Sequence, residues 1–146
     1  MDPTDFYHLG RRIIGGGPAP DPAICRTTIG RAYYAALNRA DQALEGWGAS
    51  CGRGPQKHGL AIRFLHATND PDLMLASQDL DELKFSRNRA DYDMNDTAVE
   101  KAPQARKALD LSKRVMDFLN VVDNDSIRKS AAMNQIAIYK RKTNTP

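Results

Sequence analysis

An all-α fold is predicted for this chain: an up-and-down bundle of four core helices with an extra short helix at each end. Three observations carry that expectation. Apolar residues recur at helical spacing through the long segments, no stretch alternates with a period of two, and β-branched runs are missing. The 146 residues amount to one domain's worth of sequence, and 41% hydrophobic residues with a mean hydropathy of −0.57 suit a globular chain with a real core.

The elements follow in order. Asp5 to Ile14 is expected to form a short helix that stops at Gly15-Gly16-Gly17-Pro18. Pro18, Pro20 and Pro22 stiffen the connection, and Asp21-Pro22 offers an N-cap with proline in the first helical position. From Ala23 to Glu45 the residues Ile29, Tyr33, Ala36, Leu37, Ala40 and Leu44 share one face. Gly46, with Gly48 close behind, ends that helix, and Trp47 is placed to cover the end of the core. Gly46 to Gln56 holds four glycines and Pro55 and is expected to be a loop.

A third helix, Lys57 to Ala67, carries Leu60, Ile62, Phe64 and Leu65, and Thr68-Asn69-Asp70-Pro71 follows as a turn and cap. The fourth runs from Asp72 to about Asp91 on a stripe of Leu73, Ala76, Leu80, Leu83, Arg87 and Ala90. Asn95-Asp96-Thr97 breaks it. Thr97 to Glu100 has the spacing of a capping box for a fifth helix, which reaches Val122 with Ala108, Leu111, Val115, Leu119 and Val122 on one face. Pro103 is tolerable in its first turn. Asp123, Asn124 and Asp125 offer caps for a sixth helix, Ser126 to Lys140, on a weak stripe of Ala132, Ile136 and Tyr139. The expected organisation is a short helix and Gly/Pro linker over 1–22, a bundle over 23–122 and a basic helix or tail over 123–146.

The net charge of +3 divides unevenly along the chain. Arg128, Lys129, Lys140, Arg141 and Lys142 face no acid between Ser126 and Pro146, so the preceding residues are slightly acidic. That tail reads either as a solubilising helix C-terminus, favoured by the helix dipole, or as a phosphate contact to nucleic acid. Cys25 falls in a helix and Cys51 in the Gly-rich loop, with no metal-type spacing, so neither a disulfide framework nor reactive thiols are expected. No apolar run reaches the roughly 18 residues that a bilayer needs, and the start lacks a basic and apolar leader. A cytoplasmic location is the expectation.

The anomaly is Arg87, a charge on an apolar stripe, where a buried cation needs a partner. Asp91 stands one turn on and is placed to meet it. The bland reading is an ion pair that braces a helix end; the functional one is a guanidinium held ready for a phosphate. His58 and His66 lie at opposite ends of the third helix, His66 being expected at the surface and His8 drawing no role. Asn38 follows Tyr34 by one turn and brings a polar group towards Arg87, whereas Arg31 and Arg39 read as solvated. Tyr33 falls on the apolar face and is expected to be core.

Arg31-Ala-Tyr33-Tyr34-Ala-Ala-Leu37-Asn38, Lys57-His58-Gly59 and Arg87-Asn-Arg-Ala-Asp91-Tyr92-Asp93 together resemble the HEPN-domain proteins, small all-α bundles of prokaryotic toxin–antitoxin and defence systems. The likeness covers about Asp21 to Val122. It implies a homodimer that acts on or binds RNA or a nucleotide, in catalytic members as a metal-independent endoribonuclease with an arginine–histidine motif. No cofactor or metal is implied. Arg87 occupies the motif's arginine position, but Tyr92, Asp93 and Met94 stand where a histidine is usual, much as in a branch with an Arg-Ala-Asp-Tyr form. The resemblance therefore makes Arg87 and His58 the candidate catalytic pair, with Asp91, Tyr92, Asn38 and Tyr34 as binding residues and Tyr34 also on a dimer face. His58 would act as acid or base. The alternative it implies is a non-catalytic binding or regulatory subunit paired with a nucleotidyltransferase-like antitoxin, with Tyr92 as the tyrosine modified.

Overall fold

The computed structural model describes residues 1–15 and 19–146, all of whose regular structure is helical. The expected stop at Gly16-Gly17-Pro18 lies outside the described residues. The elements are α1 (Thr4–Gly15), α2 (Pro22–Gly46), α3 (Gln56–Ala67), α4 (Pro71–Tyr92), a 3-10 turn (Thr97–Glu100), α5 (Ala102–Asp123) and α6 (Ser126–Thr143). The three longest, α2, α4 and α5, pack pairwise on one another. α1 lies against α2 and α5, α3 against α4 and α2, and α6 against α5 and α3. One hydrophobic cluster runs through all six helices, from Tyr7 and Ile14 to Ala132 and Ile136. The last helix is not a short appendage: at 18 residues it is longer than α3, and Tyr139 meets Phe64 edge to face at 6.0 Å.

Aspartates start three helices. Asp21, Asp70 and Asp125 each accept from backbone N–H groups of the first turn of α2, α4 and α6, and proline follows the first two. The fifth helix begins differently from expectation. Asp96 rather than Thr97 caps the segment, accepting from the Ala98 N–H at 3.0 Å, and only a 3-10 turn follows. Lys101 is extended, and α5 starts at Ala102. Pro103 is the reason: inside a helix that began at Thr97 its ring would meet the Val99 carbonyl, whereas at the start of α5 its missing N–H is harmless.

The end of α2 is set by Gly48 and not by Gly46, which remains helical. Ala49 N–H reaches back to the Leu44 carbonyl at 2.8 Å and Gly48 N–H to Glu45 at 3.0 Å, a Schellman closure that needs the left-handed φ of +77° found at Gly48. Gly48→Ala is expected to lower stability by about 1 kcal/mol in urea denaturation, because a Cβ disfavours that φ although nothing crowds it. The closure turns Trp47 inward, where it is buried with Nε1 donating to Asp123 Oδ1 at 2.9 Å.

α4 ends against Arg26. This guanidinium, on the first turns of α2, donates to the carbonyls of Ala90 (2.8 Å), Asp93 (3.0 Å) and Asp96 (2.9 Å) and pairs with Glu100 at 2.8 Å. Carbonyls at a helix C-terminus have no partner within the helix, and here one side chain satisfies them. Arg26 thereby fixes the segment that carries Arg87, Asp91 and Tyr92.

Candidate functional site

Three elements converge on a cleft of about 570 Å³ beside the end of α4. The middle of α2 contributes Tyr34 and Asn38, the start of α3 Lys57 and His58, and the last turns of α4 Lys84, Arg87, Asn88 and Tyr92. The sequence-derived candidates Tyr34, Asn38, His58, Arg87 and Tyr92 are thus brought together. Asp91 is the exception. It lies behind Arg87 against α2, where a Cβ on Gly30 would come within 3.8 Å of its Oδ1, and does not line the cleft.

Arg87 is held from several sides. Its Nε lies 2.7 Å from Asp91 Oδ2, yet the N–H is not directed along that line, so the contact is charge pairing rather than a hydrogen bond. One terminal nitrogen donates to Tyr92 Oη at 3.1 Å and the other to Asn88 Oδ1 at 3.2 Å. The guanidinium carbon sits 5.4 Å from the Tyr34 ring centre and 5.0 Å from that of Tyr92, within cation–π range of both. Burial works against the charge, but Tyr34, Asp91 and Tyr92 outweigh it and hold the pKa above the usual arginine value. The arginine on the apolar stripe is therefore paired, and its group still lines the cleft.

His58 is bonded from the core side. Its Nδ1 meets the hydroxyl of Tyr33, which is fully buried, and the two rings lie nearly parallel at 18°. Tyr33 is core, as its place on the apolar face implies, but it also anchors the histidine, which nothing in the spacing of the sequence signals. Desolvation, then the cations Arg87, Lys84 and Lys57, hold the His58 pKa below its ordinary 6.5, so the ring is neutral at pH 7.

A pH dependence of folding follows. The unfolded chain takes up a proton at His58 near 6.5 while the folded chain resists, so stability is complete above that value and falls as the pH drops through it. Asp70 and Asp96, held down by hydrogen bonds from Arg128 and Arg89, lose their contributions only below the ordinary 3.8. Thermal melts between about pH 7.5 and 5 are expected to show this decline in the wild type and a flatter profile in His58→Gln.

The remaining sequence expectations sort clearly. His66 is exposed. Arg39 is not a solvated residue: it donates to Asn120 and Asp123. Arg31 lies over the Phe6 ring at 5.7 Å. The basic tail is partly consumed, since Arg128 holds Asp70 through two bonds of 2.8 and 2.7 Å together with Asp72, and Lys129 lies 3.5 Å from Asp123. Lys140, Arg141 and Lys142 occupy the last turn of α6. Cys25 and Cys51 are free and buried, and desolvation raises both thiols, Cys51 to about 11. Among the described residues no group of three or more His, Cys, Asp or Glu side chains is placed to hold a metal, and no helix is long and apolar enough to cross a membrane.

No protein-family model, curated protein or solved structure matches the chain.

Proposed function

We infer that the cleft binds RNA through its phosphate backbone, in a HEPN-like protein that acts as a homodimer in a prokaryotic toxin–antitoxin or defence setting. One observation carries this reading: Arg87 is fixed between two aromatic rings and braced from behind by Asp91, in a cleft rimmed by Lys57, Lys84 and His58. A guanidinium held in this way meets a phosphate with little ordering left to do, and Lys84 adds diffuse charge, Lys57 being paired with Asp41 at 2.7 Å. The exposed rings of Tyr92 and Phe85 border the same end of α4 and offer stacking faces for unpaired bases. Strand cleavage by the RNA's own 2′-hydroxyl would release that hydroxyl's proton to solvent water, use Arg87 to stabilise charge at the crowded phosphate, and return a proton from solvent to the leaving 5′-oxygen.

Fluorescence anisotropy with a labelled single-stranded RNA in EDTA tests the reading. Wild type is expected to bind, Arg87→Ala to lose most of the affinity, and His58→Ala to lose part of it. Equal affinities in all three would remove the site. Electrophoresis of the same mixtures reads cleavage: products formed by the wild type and absent with both variants would make the protein a metal-independent endoribonuclease.

A second reading is favoured by the 72% exposure of Tyr92, which lines the cleft and whose hydroxyl accepts from Arg87. In it the chain is a non-catalytic subunit, and a nucleotidyltransferase-like partner adds a nucleotide to Tyr92. Incubation with such a partner and ATP, followed by intact mass measurement, separates the readings; a mass gain lost in Tyr92→Phe would support this one.

A further inference from the structure

We propose that Tyr33 is a positioning residue that fixes the His58 proton on Nε2, so that His58 gives a hydrogen bond to a phosphate oxygen in the cleft instead of serving as its base. The proposal rests on the phosphate-binding reading above and deepens it.

The argument begins with one buried proton. Tyr33 has no exposed surface, and among the described residues its hydroxyl has a single hydrogen-bond partner, His58 Nδ1. A buried O–H left without an acceptor is costly. Were the imidazole proton on Nδ1, it would point at Tyr33 Oη and the phenol proton would have nowhere to go. The arrangement that leaves no orphan has Tyr33 O–H donating to the Nδ1 lone pair, which places the ring proton on Nε2. Burial supports it further, since desolvation raises the Tyr33 pKa and keeps the phenol protonated.

The opposite edge of the ring serves the cleft. Nε2 makes no hydrogen bond within the described protein and is not a buried orphan, so it is open at the cleft that His58 lines. Tyr34 crosses the imidazole edge to face at 76° with centres 6.4 Å apart. The neighbouring cations have the same character: Arg87, Lys84 and Lys57, the last paired with Asp41 at 2.7 Å, are donors without acceptor capacity, and no carboxylate lines the cleft itself among the described residues. With Asp91 turned behind Arg87, the site is a convergent set of donors suited to a phosphate diester and holds no carboxylate base.

Nitrogen-15 NMR of the histidine ring in the ligand-free protein tests the assignment directly. In the wild type His58 is expected to show a protonated Nε2 and an unprotonated Nδ1. Tyr33→Phe, with folding checked by amide dispersion, is expected to populate the Nδ1–H form and raise the His58 pKa. A protonated Nδ1 in the wild type, or an unchanged tautomer in folded Tyr33→Phe, would overturn the proposal. The donor role is read separately by RNA affinity. His58→Gln keeps a donor near the Nε2 position and is expected to bind within about threefold of wild type, whereas His58→Ala loses about tenfold. Equal losses in the two would overturn it, even if Tyr33→Phe does not fold. Wild-type protein that shows the Nε2–H form and binds no RNA would overturn the phosphate reading and leave the tautomer standing.

Discussion

Arg26→Ala is expected to lower the folding stability by about 3 kcal/mol, a fall in Tm on the order of 10 °C, measured by thermal and urea denaturation. The size follows from what the side chain satisfies. Its guanidinium donates to the carbonyls of Ala90, Asp93 and Asp96 and, through two of its nitrogens, to the Glu100 carboxylate, and only 11% of the side chain is exposed. Truncation takes this partner from the Ala90 and Asp96 carbonyls and from the Glu100 carboxylate, while the Asp93 carbonyl keeps the Asp96 N–H, and an unsatisfied group costs more than the bond it loses. Arg26→Lys is expected to recover less than half of the loss, since one ammonium cannot reach acceptors spread around a planar fork. The damage is local in origin: the turn after Tyr92 loses its anchor, and the end of α4 frays with it.

Arg87→Ala is expected to do the reverse. RNA affinity falls between about tenfold and hundredfold, as loss of charge-assisted hydrogen bonds of about 1.5–3 kcal/mol requires. Stability changes by about 1 kcal/mol or less, because Asp91 is partly exposed and water takes over its solvation. Arg87→Lys is expected to restore little, since the ring contacts and the bonds to Tyr92 and Asn88 depend on the guanidinium plane. Two arginines on neighbouring helices thus separate by measurement. One holds the frame and the other, on the proposed reading, meets the phosphate.

The helices and most of their limits were legible in the sequence because each rests on local chemistry: Asp-Pro starts, glycine stops and a repeating apolar face. Arg87 is legible as an anomaly on its stripe and Asn38 as a polar group one turn from Tyr34, whereas His58, Tyr34 and Tyr92 enter as site residues only through the resemblance to HEPN-domain proteins. What escaped is long-range. Arg26 reads as one more polar residue in the first turns of α2, and its acceptors lie more than sixty positions away. Tyr33 reads as core, which it is, and no periodicity tells that its hydroxyl meets His58 across a loop of glycines. The start of α5 was misplaced because the capping-box spacing at Thr97 competes with Pro103, and the proline's fixed ring prevails. The basic tail looked uniform in sequence, yet Arg128 had been drawn to the cap of α4 by Asp70 and Asp72.

Whether the proposed RNA contact lies in the cleft or on this tail is tested most directly by amide chemical-shift mapping. On titrating the full chain with a short single-stranded RNA, the largest shifts are expected at Tyr34, Asn38, His58, Arg87 and Tyr92, and they should vanish in Arg87→Ala. Shifts confined to Lys140, Arg141 and Lys142, unchanged in that variant, would contradict the cleft and leave the tail as the contact.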